Sequence, residues 1–149
     1  MCGISGAVAL GNCEPGWPSI EVAMQMVSTL NHRGPDDSDC WVDPSGCVVL
    51  GHNRLAVVDL SEAGLQPMTS ADGRWTITYN GEIYNTETLR RSLGSVSWRG
   101  HSDTEVLVEH ISRHGVSATL KVSRGMFAFG CWDSHESELW LARDRLGEK

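Results

Sequence analysis

Hydrophobic positions along the chain predict short strands interspersed with a few helices. Uninterrupted small and apolar residues, strict alternation, or β-branched and aromatic runs are typical of strands. Two turn signals lie among them: Asp-Pro-Ser-Gly at residues 43–46 predicts a hairpin, and Asn80-Gly81 predicts a turn after a strongly strand-forming run. On these patterns strands are predicted at residues 3–10, 41–42, 48–50, 55–58, 75–79, 126–132 and 138–142.

Helices are predicted in four stretches. Residues 20–31 carry apolar positions on one face behind Ser19, which can cap a helix. Ser102 and Glu105 form a capping-box pattern ahead of an apolar run that should end at Gly115. Shorter helices are predicted at residues 86–93 and in the turn before Gly125. Helices interspersed among strands of this kind indicate an α+β fold.

Length and composition indicate one globular domain over residues 2–149. The chain has 149 residues, of which 40% are hydrophobic and 21% charged. The formal net charge of −7, without a basic stripe, argues against nucleic acid as a partner. No apolar run approaches the roughly 18 residues of a membrane span, so no membrane partner is expected.

The cysteines point to a cytoplasmic protein without a metal site. Five cysteines, an odd number without a framework spacing, argue against a disulfide scaffold. No CxxC pair is present, so we predict no metal ligands. A reducing cytoplasm would keep Cys2 as a thiol.

Cys2 is the main catalytic candidate. Removal of Met1 would expose a residue that carries both a thiol and an α-amine, and an α-amine titrates at about 7.7–8.0. A nucleophile needs an adjacent base, and here one residue could supply both. A small residue at the start of a strand is the alternative interpretation of Cys2.

Four further residues have both a structural and a catalytic interpretation. The structural interpretation of Asn80 and Gly81 is a hairpin turn; the catalytic one is an oxyanion hole made by the Asn80 side-chain amide and the Gly81 backbone N–H. Arg54 is interpreted either as a surface residue at a strand or as a bidentate clamp on a carboxylate. Asp103 is interpreted either as an acidic residue that favours a helix N-terminus or as the counter-charge for an ammonium group. The cation and anion together would recognise the zwitterionic end of a free amino acid.

An ordered set of motifs runs through nearly the whole chain. The motifs are Met1-Cys2-Gly3-Ile4, His32-Arg33-Gly34-Pro35-Asp36, Arg54-Leu55-Ala56-Val57-Val58-Asp59, Tyr79-Asn80-Gly81-Glu82-Ile83-Tyr84-Asn85, Ser102-Asp103-Thr104-Glu105, Gly125-Met126-Phe127-Ala128-Phe129 and Ala142-Arg143-Asp144-Arg145-Leu146-Gly147. This ordered set resembles the N-terminal glutaminase domain of glutamine-dependent asparagine synthetases, within the class II glutamine amidotransferases.

The resemblance implies an N-terminal-nucleophile hydrolase fold, with two stacked, mainly antiparallel sheets between helix layers. It implies Cys2 as nucleophile and Asn80 with Gly81 as oxyanion hole. L-Glutamine would be the substrate, with its carboxylate on Arg54 and its α-amino end on Glu82 and Asp103. The main chain of Leu55, Ala56, Val57 and Val58 would line the pocket.

Such synthetases continue into a second domain that binds ATP through an SGGxDS loop, and this chain contains no SGG. We therefore expect a chain truncated within its glutaminase domain, with the ammonia-accepting synthetase domain absent. No cofactor is expected in residues 2–149; ATP and Mg²⁺ belong to the synthetase domain, which would make asparagine from aspartate. The resemblance is compatible with a homodimer.

Three alternatives remain open at this stage. The chain could be an N-terminal-nucleophile enzyme that acts on another amide, or an amidotransferase with a different acceptor. It could also be a non-catalytic module or an inactive fragment of the fold.

Overall fold

The structure is a computed structural model that describes residues 2–11, 17–55 and 62–149. The strands in these ranges are β1 (Gly3–Val8), β2 (Asp37–Val42), β3 (Val48–Arg54), β4 (Met68–Thr69), β5 (Trp75–Ile83), β6 (Gly125–Asp133) and β7 (Glu138–Arg143). The α-helices there are α1 (Ile20–Thr29), α2 (Thr86–Ser92), α3 (Asp103–His114) and α4 (Val116–Val122). The predicted α+β class is confirmed.

Two antiparallel sheets stack between layers of helices. The first has the strand order β1-β3-β2 and the second the order β4-β5-β6-β7. The Thr78 hydroxyl donates to the carbonyl of Gly51 across the stack, at 2.9 Å. Helix α1 packs on the first sheet, while α3 packs on β4 and β5 of the second. The expected architecture of two sheets between helix layers is therefore present.

The larger apolar core lies between the second sheet and α3. Alternate residues of β5 point into it, because successive side chains of a strand face opposite sides. The other contributions come from one face of α3 and from β6. Its buried members include Ile77, Tyr79, Leu107, Val108, Ile111, Phe127 and Phe129. This packing fixes the end of β5 relative to the start of α3.

The helix boundaries follow their capping signals. The Ser19 hydroxyl accepts from the N–H of Val22 at 3.3 Å, and the Ser102 hydroxyl accepts from the N–H of Glu105 at 3.2 Å. Gly115 ends α3 with a φ of 79°, a conformation that glycine adopts readily. The Glu105 carboxylate accepts from the backbone N–H groups of Arg99 and Gly100 at 2.7 and 3.0 Å.

Two strand predictions were wrong. Asn80 and Gly81 do not form a turn, because β5 continues to Ile83 and pairs with β6 in register as far as Gly125. Residues 51–54, predicted as a connection, belong to β3, which is paired on both sides. Of the strand predicted at residues 55–58, only Leu55 is described, and it lies outside any strand. Residues 56–58 lie outside the described residues.

The cysteines differ in part from expectation. Cys47 is disulfide-bonded, whereas the cysteine pattern argued against a disulfide framework. Cys2, Cys40 and Cys131 are free thiols. Within the ranges that the structure describes, every helix is too short or too polar to cross a membrane.

Candidate active site

Cys2 lies immediately before β1, at the end of the first sheet. Gly3 pairs with Asn53, so Cys2 reaches the point where β3 ends. The N–H of Leu55 points at the Cys2 sulfur at 3.4 Å, and the sulfur lies 3.8 Å from the carbonyl oxygen of Leu55. The guanidinium of Arg33 donates to the carbonyl oxygen of Cys2 at 3.4 Å. Both the thiol and the backbone of this half-buried residue are therefore held by neighbouring segments.

The segment that follows α1 packs against the end of β3 and forms hydrogen bonds with it. A Cβ on Gly34 would lie 2.4 Å from the carbonyl oxygen of Asn53, so only glycine allows this close approach. The N–H of Asp36 donates to the carbonyl of Arg54 at 3.0 Å. The side-chain amide of Asn53 donates to the Asn31 side chain at 2.9 Å and to the Ser38 hydroxyl at 2.8 Å. The backbone around Arg54 is consequently fixed from outside the sheet.

Arg54 occupies the last position of β3, beside Cys2. It is only 8% exposed, and its Cα is paired with that of Asp37. The interpretation of Arg54 as a surface residue is thus wrong. Its place at the same strand end as Cys2 is compatible with the predicted clamp.

Asn80, Gly81 and Glu82 lie within β5, opposite Ala128, Phe127 and Met126 of β6. Asn80 follows Thr78 by two positions, which places its side chain on the face of β5 that meets the first sheet. Gly81 has no room for a side chain, because a Cβ would lie 2.3 Å from the Met126 carbonyl oxygen. The predicted oxyanion residues therefore belong to a paired strand.

Asp103 joins the start of α3 to β5. Its Oδ2 accepts from the hydroxyl of Tyr79 at 2.6 Å and from the N–H of Ile83 at 3.0 Å. A carboxylate in the first turn of a helix is also favoured by the helix dipole. The carboxylate is consequently fixed beside Glu82, the other residue predicted to hold an amino group.

Tyr79 connects the candidate residues electrostatically. Burial raises the pKa of its phenol above the usual range, and negative charge on Asp103, Glu82 and Cys2 raises this pKa further. Asp103 contacts Tyr79 and Ile83 of β5, the strand that also carries Glu82. Strand β1, which directly follows Cys2, packs against the same strand.

Two histidines are buried, His52 and His110, and the second belongs to a pair that the sequence analysis missed. His52 is 2% exposed, and burial lowers its pKa to about 4, so the ring is neutral at pH 7. His110 and His114 stand four positions apart on α3, with ring centroids 4.5 Å apart. This i, i+4 spacing is visible in the sequence. Among the described residues, no three potential metal ligands lie together.

Comparisons with known proteins show the fold class and the family of the chain. Glutamine phosphoribosylpyrophosphate amidotransferase from B. subtilis, solved with ADP and GMP, superposes with a TM-score of 0.56 at 29% identity over 68% of this chain and 24% of its own. The fold is thus that of the N-terminal-nucleophile amidotransferases, a class of enzymes that carry the nucleophile on the first residue.

The chain belongs to the glutamine amidotransferase domain family, whose model matches residues 1–149. It is 44% identical over its whole length to glutamine-hydrolysing asparagine synthetase 3 of Bacillus subtilis, of which it covers 24%. It is 36% identical, over 99% of its length, to the glutamine-hydrolysing asparagine synthetase of Sandersonia aurantiaca, of which it covers 27%. The chain thus spans about a quarter of the length of these relatives.

Proposed function

We propose that this domain hydrolyses the side-chain amide of L-glutamine to glutamate and ammonia through a thioester on Cys2. The observation that carries the proposal is the position of the Cys2 sulfur, 3.4 Å from the N–H of Leu55. This contact holds the thiol beside the end of β3, where Arg54 also lies. Family membership supports the reaction class.

The chemistry begins with removal of Met1. The α-amine of Cys2, directly or through water, takes the thiol proton, and the thiolate attacks the amide carbon. Asn80 and Gly81 stabilise the tetrahedral oxyanion; one such donor contributes about 2.7–4 kcal/mol to the transition state. The C–N bond breaks as the amine returns the proton to the leaving ammonia. Water then cleaves the thioester, which releases glutamate and restores the thiol.

Glutamine recognition rests on opposite charges around the zwitterionic end of the substrate. Arg54 holds the α-carboxylate as a bidentate partner. Glu82 and Asp103 hold the α-ammonium group, and the Asp103 carboxylate is already oriented by Tyr79 and Ile83. Leu55 places its N–H on the sulfur. Ala56, Val57 and Val58, the other predicted lining residues, lie outside the described residues.

In the whole protein, the ammonia released from glutamine would be transferred to a second substrate. We propose an aspartyl adenylate, made from aspartate, ATP and Mg²⁺ by a synthetase domain, so that the product is asparagine. The names of the two sequence relatives support this acceptor. An amidotransferase with a different acceptor is the second candidate, favoured by the likeness to the phosphoribosylpyrophosphate enzyme.

The direct test compares two cysteine variants. Cys2→Ala should abolish glutamate formation from glutamine, because it removes the nucleophile. Cys40→Ala removes another free, partly exposed thiol and should retain full activity. Retained activity in Cys2→Ala would show that another group performs the attack.

A further inference from the structure

A cavity of about 680 Å³ lies among α2, α3, α4 and the segment that leads into β6. Its volume is in the range of small-molecule sites, about 300–1,000 Å³. It adjoins the C-terminal half of α3, whereas Asp103 begins that helix. At 1.5 Å per residue, His110 lies about 10 Å along the axis from Asp103. The cavity is thus separate from the proposed catalytic residues.

The lining of this cavity is basic, although the chain carries a net charge of −7. His110 and His114 contribute from α3, Lys121 from α4, and Arg124 from the segment before β6. Acidic side chains are absent among the described residues that line it. Apolar walls come from Leu89 and Val122. An anionic head and a nonpolar body would both find complementary surface here.

The basic wall is held in place by hydrogen bonds. The Asn85 amide donates to the carbonyl of Val122 at 3.0 Å and accepts from the N–H of Arg124 at 2.8 Å. The N–H of Tyr84 donates to the carbonyl of Arg124 at 2.8 Å. The backbone that carries Arg124 is therefore fixed to the connection between β5 and α2, which reduces the ordering cost of binding.

His110 is oriented by a second chain of hydrogen bonds. The Thr119 hydroxyl donates to the carbonyl of Gly115 at 2.9 Å, so it accepts from Nδ1 of His110 at 2.8 Å. Burial and the charge of His114 lower the pKa of His110. A bound anion would offset both effects, because it favours the protonated imidazoles.

We propose that this cavity binds a small organic phosphate, whose dianionic head contacts Lys121, Arg124 and the histidine pair. A phosphate offers three acceptor oxygens and pairs with arginine through two parallel hydrogen bonds. Its nonpolar body lies against Leu89 and Val122. The proposal is independent of glutamine hydrolysis, since none of these residues belongs to the proposed catalytic set.

Phenyl phosphate titrated into the chain at constant ionic strength tests this site. We expect saturable shifts of the His110 and His114 imidazole resonances, and tighter binding than for inorganic phosphate, which lacks the nonpolar body. Lys121→Gln and Arg124→Gln should each weaken binding about tenfold, the lower end for a hydrogen bond to a charged group. Both side chains are exposed, so the variants should keep the fold.

Arg91→Gln is the matched control, because it removes the same charge from α2 outside the cavity. Arg91 is 82% exposed and pairs with Glu87 at 3.9 Å. It should change the affinity less than about twofold, as expected for an exposed charge. Absence of saturable shifts, or equal weakening by the control, would overturn the site. Equal affinity for benzoate would overturn the choice of phosphate.

Discussion

Gly81 offers a quantitative test of how the candidate oxyanion residue is held. A Cβ at this position would lie 2.3 Å from the Met126 carbonyl oxygen and 2.6 Å from the Cα of Phe127. Both are backbone atoms of the paired strand and cannot rotate away. The Gly81→Ala variant must therefore displace β6 locally by about 1 Å, since ordinary contacts begin near 3.4 Å.

Gly130, on β6 itself, is the matched control. A Cβ there would have its nearest neighbours at 3.5, 3.7 and 3.9 Å, which are ordinary contacts. Forcing a side chain into a filled site costs about 1–3 kcal/mol, and we expect the upper half of this range for Gly81→Ala. For Gly130→Ala we expect no loss, because alanine is favoured over glycine in a strand by about 0.5–1 kcal/mol.

Thermal and urea unfolding of the two variants measure this difference. In a chain of this size 1 kcal/mol corresponds to about 2–4 °C in Tm, so Gly81→Ala should lower the Tm by about 4–12 °C. Gly130→Ala should leave the Tm unchanged or slightly raised. Equal Tm values for the two variants would refute the close approach of β5 and β6 at Gly81.

Three further predictions concern charge. Arg54→Ala should raise the KM for glutamine about tenfold or more, because the α-carboxylate of the substrate loses a charged hydrogen-bond partner. Steady-state kinetics measure this KM, and an unchanged value would exclude Arg54 as the carboxylate clamp. Asp103→Asn should raise the KM for glutamine, because it removes a negative charge proposed to hold the α-ammonium group. The fold should stay intact, because the asparagine side-chain oxygen still accepts from Tyr79 and Ile83. Steady-state kinetics measure the change in KM, and circular dichroism checks the fold. Burial acts to raise the pKa of Asp144, but the N–H groups of Glu148, Phe127, Lys149 and Gly147 lower it to about 2, from 3.8. The depressed pKa stabilises the fold above about pH 4, and this contribution is lost as the pH falls towards 2. Asp144→Asn should therefore flatten the decline of stability over that window, and an unchanged pH profile by urea unfolding would contradict the assignment.

The elements that could be predicted from the sequence are those with local determinants. Ser19 and Ser102 cap their helices through contacts three residues away, and the turn at residues 43–46 closes within itself, with the N–H of Gly46 donating to the carbonyl of Asp43 at 2.7 Å. The candidate site residues also follow from residue type and from the family motifs.

The features that could not be predicted depend on distant partners. Asn80 and Gly81 remain in a strand because residues 126–128, far along the chain, pair with them. The contact of Gly34 with Asn53, and the burial of Arg54, likewise depend on segments about twenty residues apart. The spacing of His110 and His114 is visible in the sequence, but their approach to Arg124 depends on the return of the chain through α4.

The central claim is that Cys2, freed of Met1, forms a thioester with glutamine. Acid quenching during turnover, followed by mass spectrometry of the N-terminal peptide, tests it most directly. The account predicts a peptide that begins at Cys2 and carries a γ-glutamyl group, with no such adduct on Cys40. Glutamate formation by protein that retains Met1, or turnover without any adduct on Cys2, would contradict it.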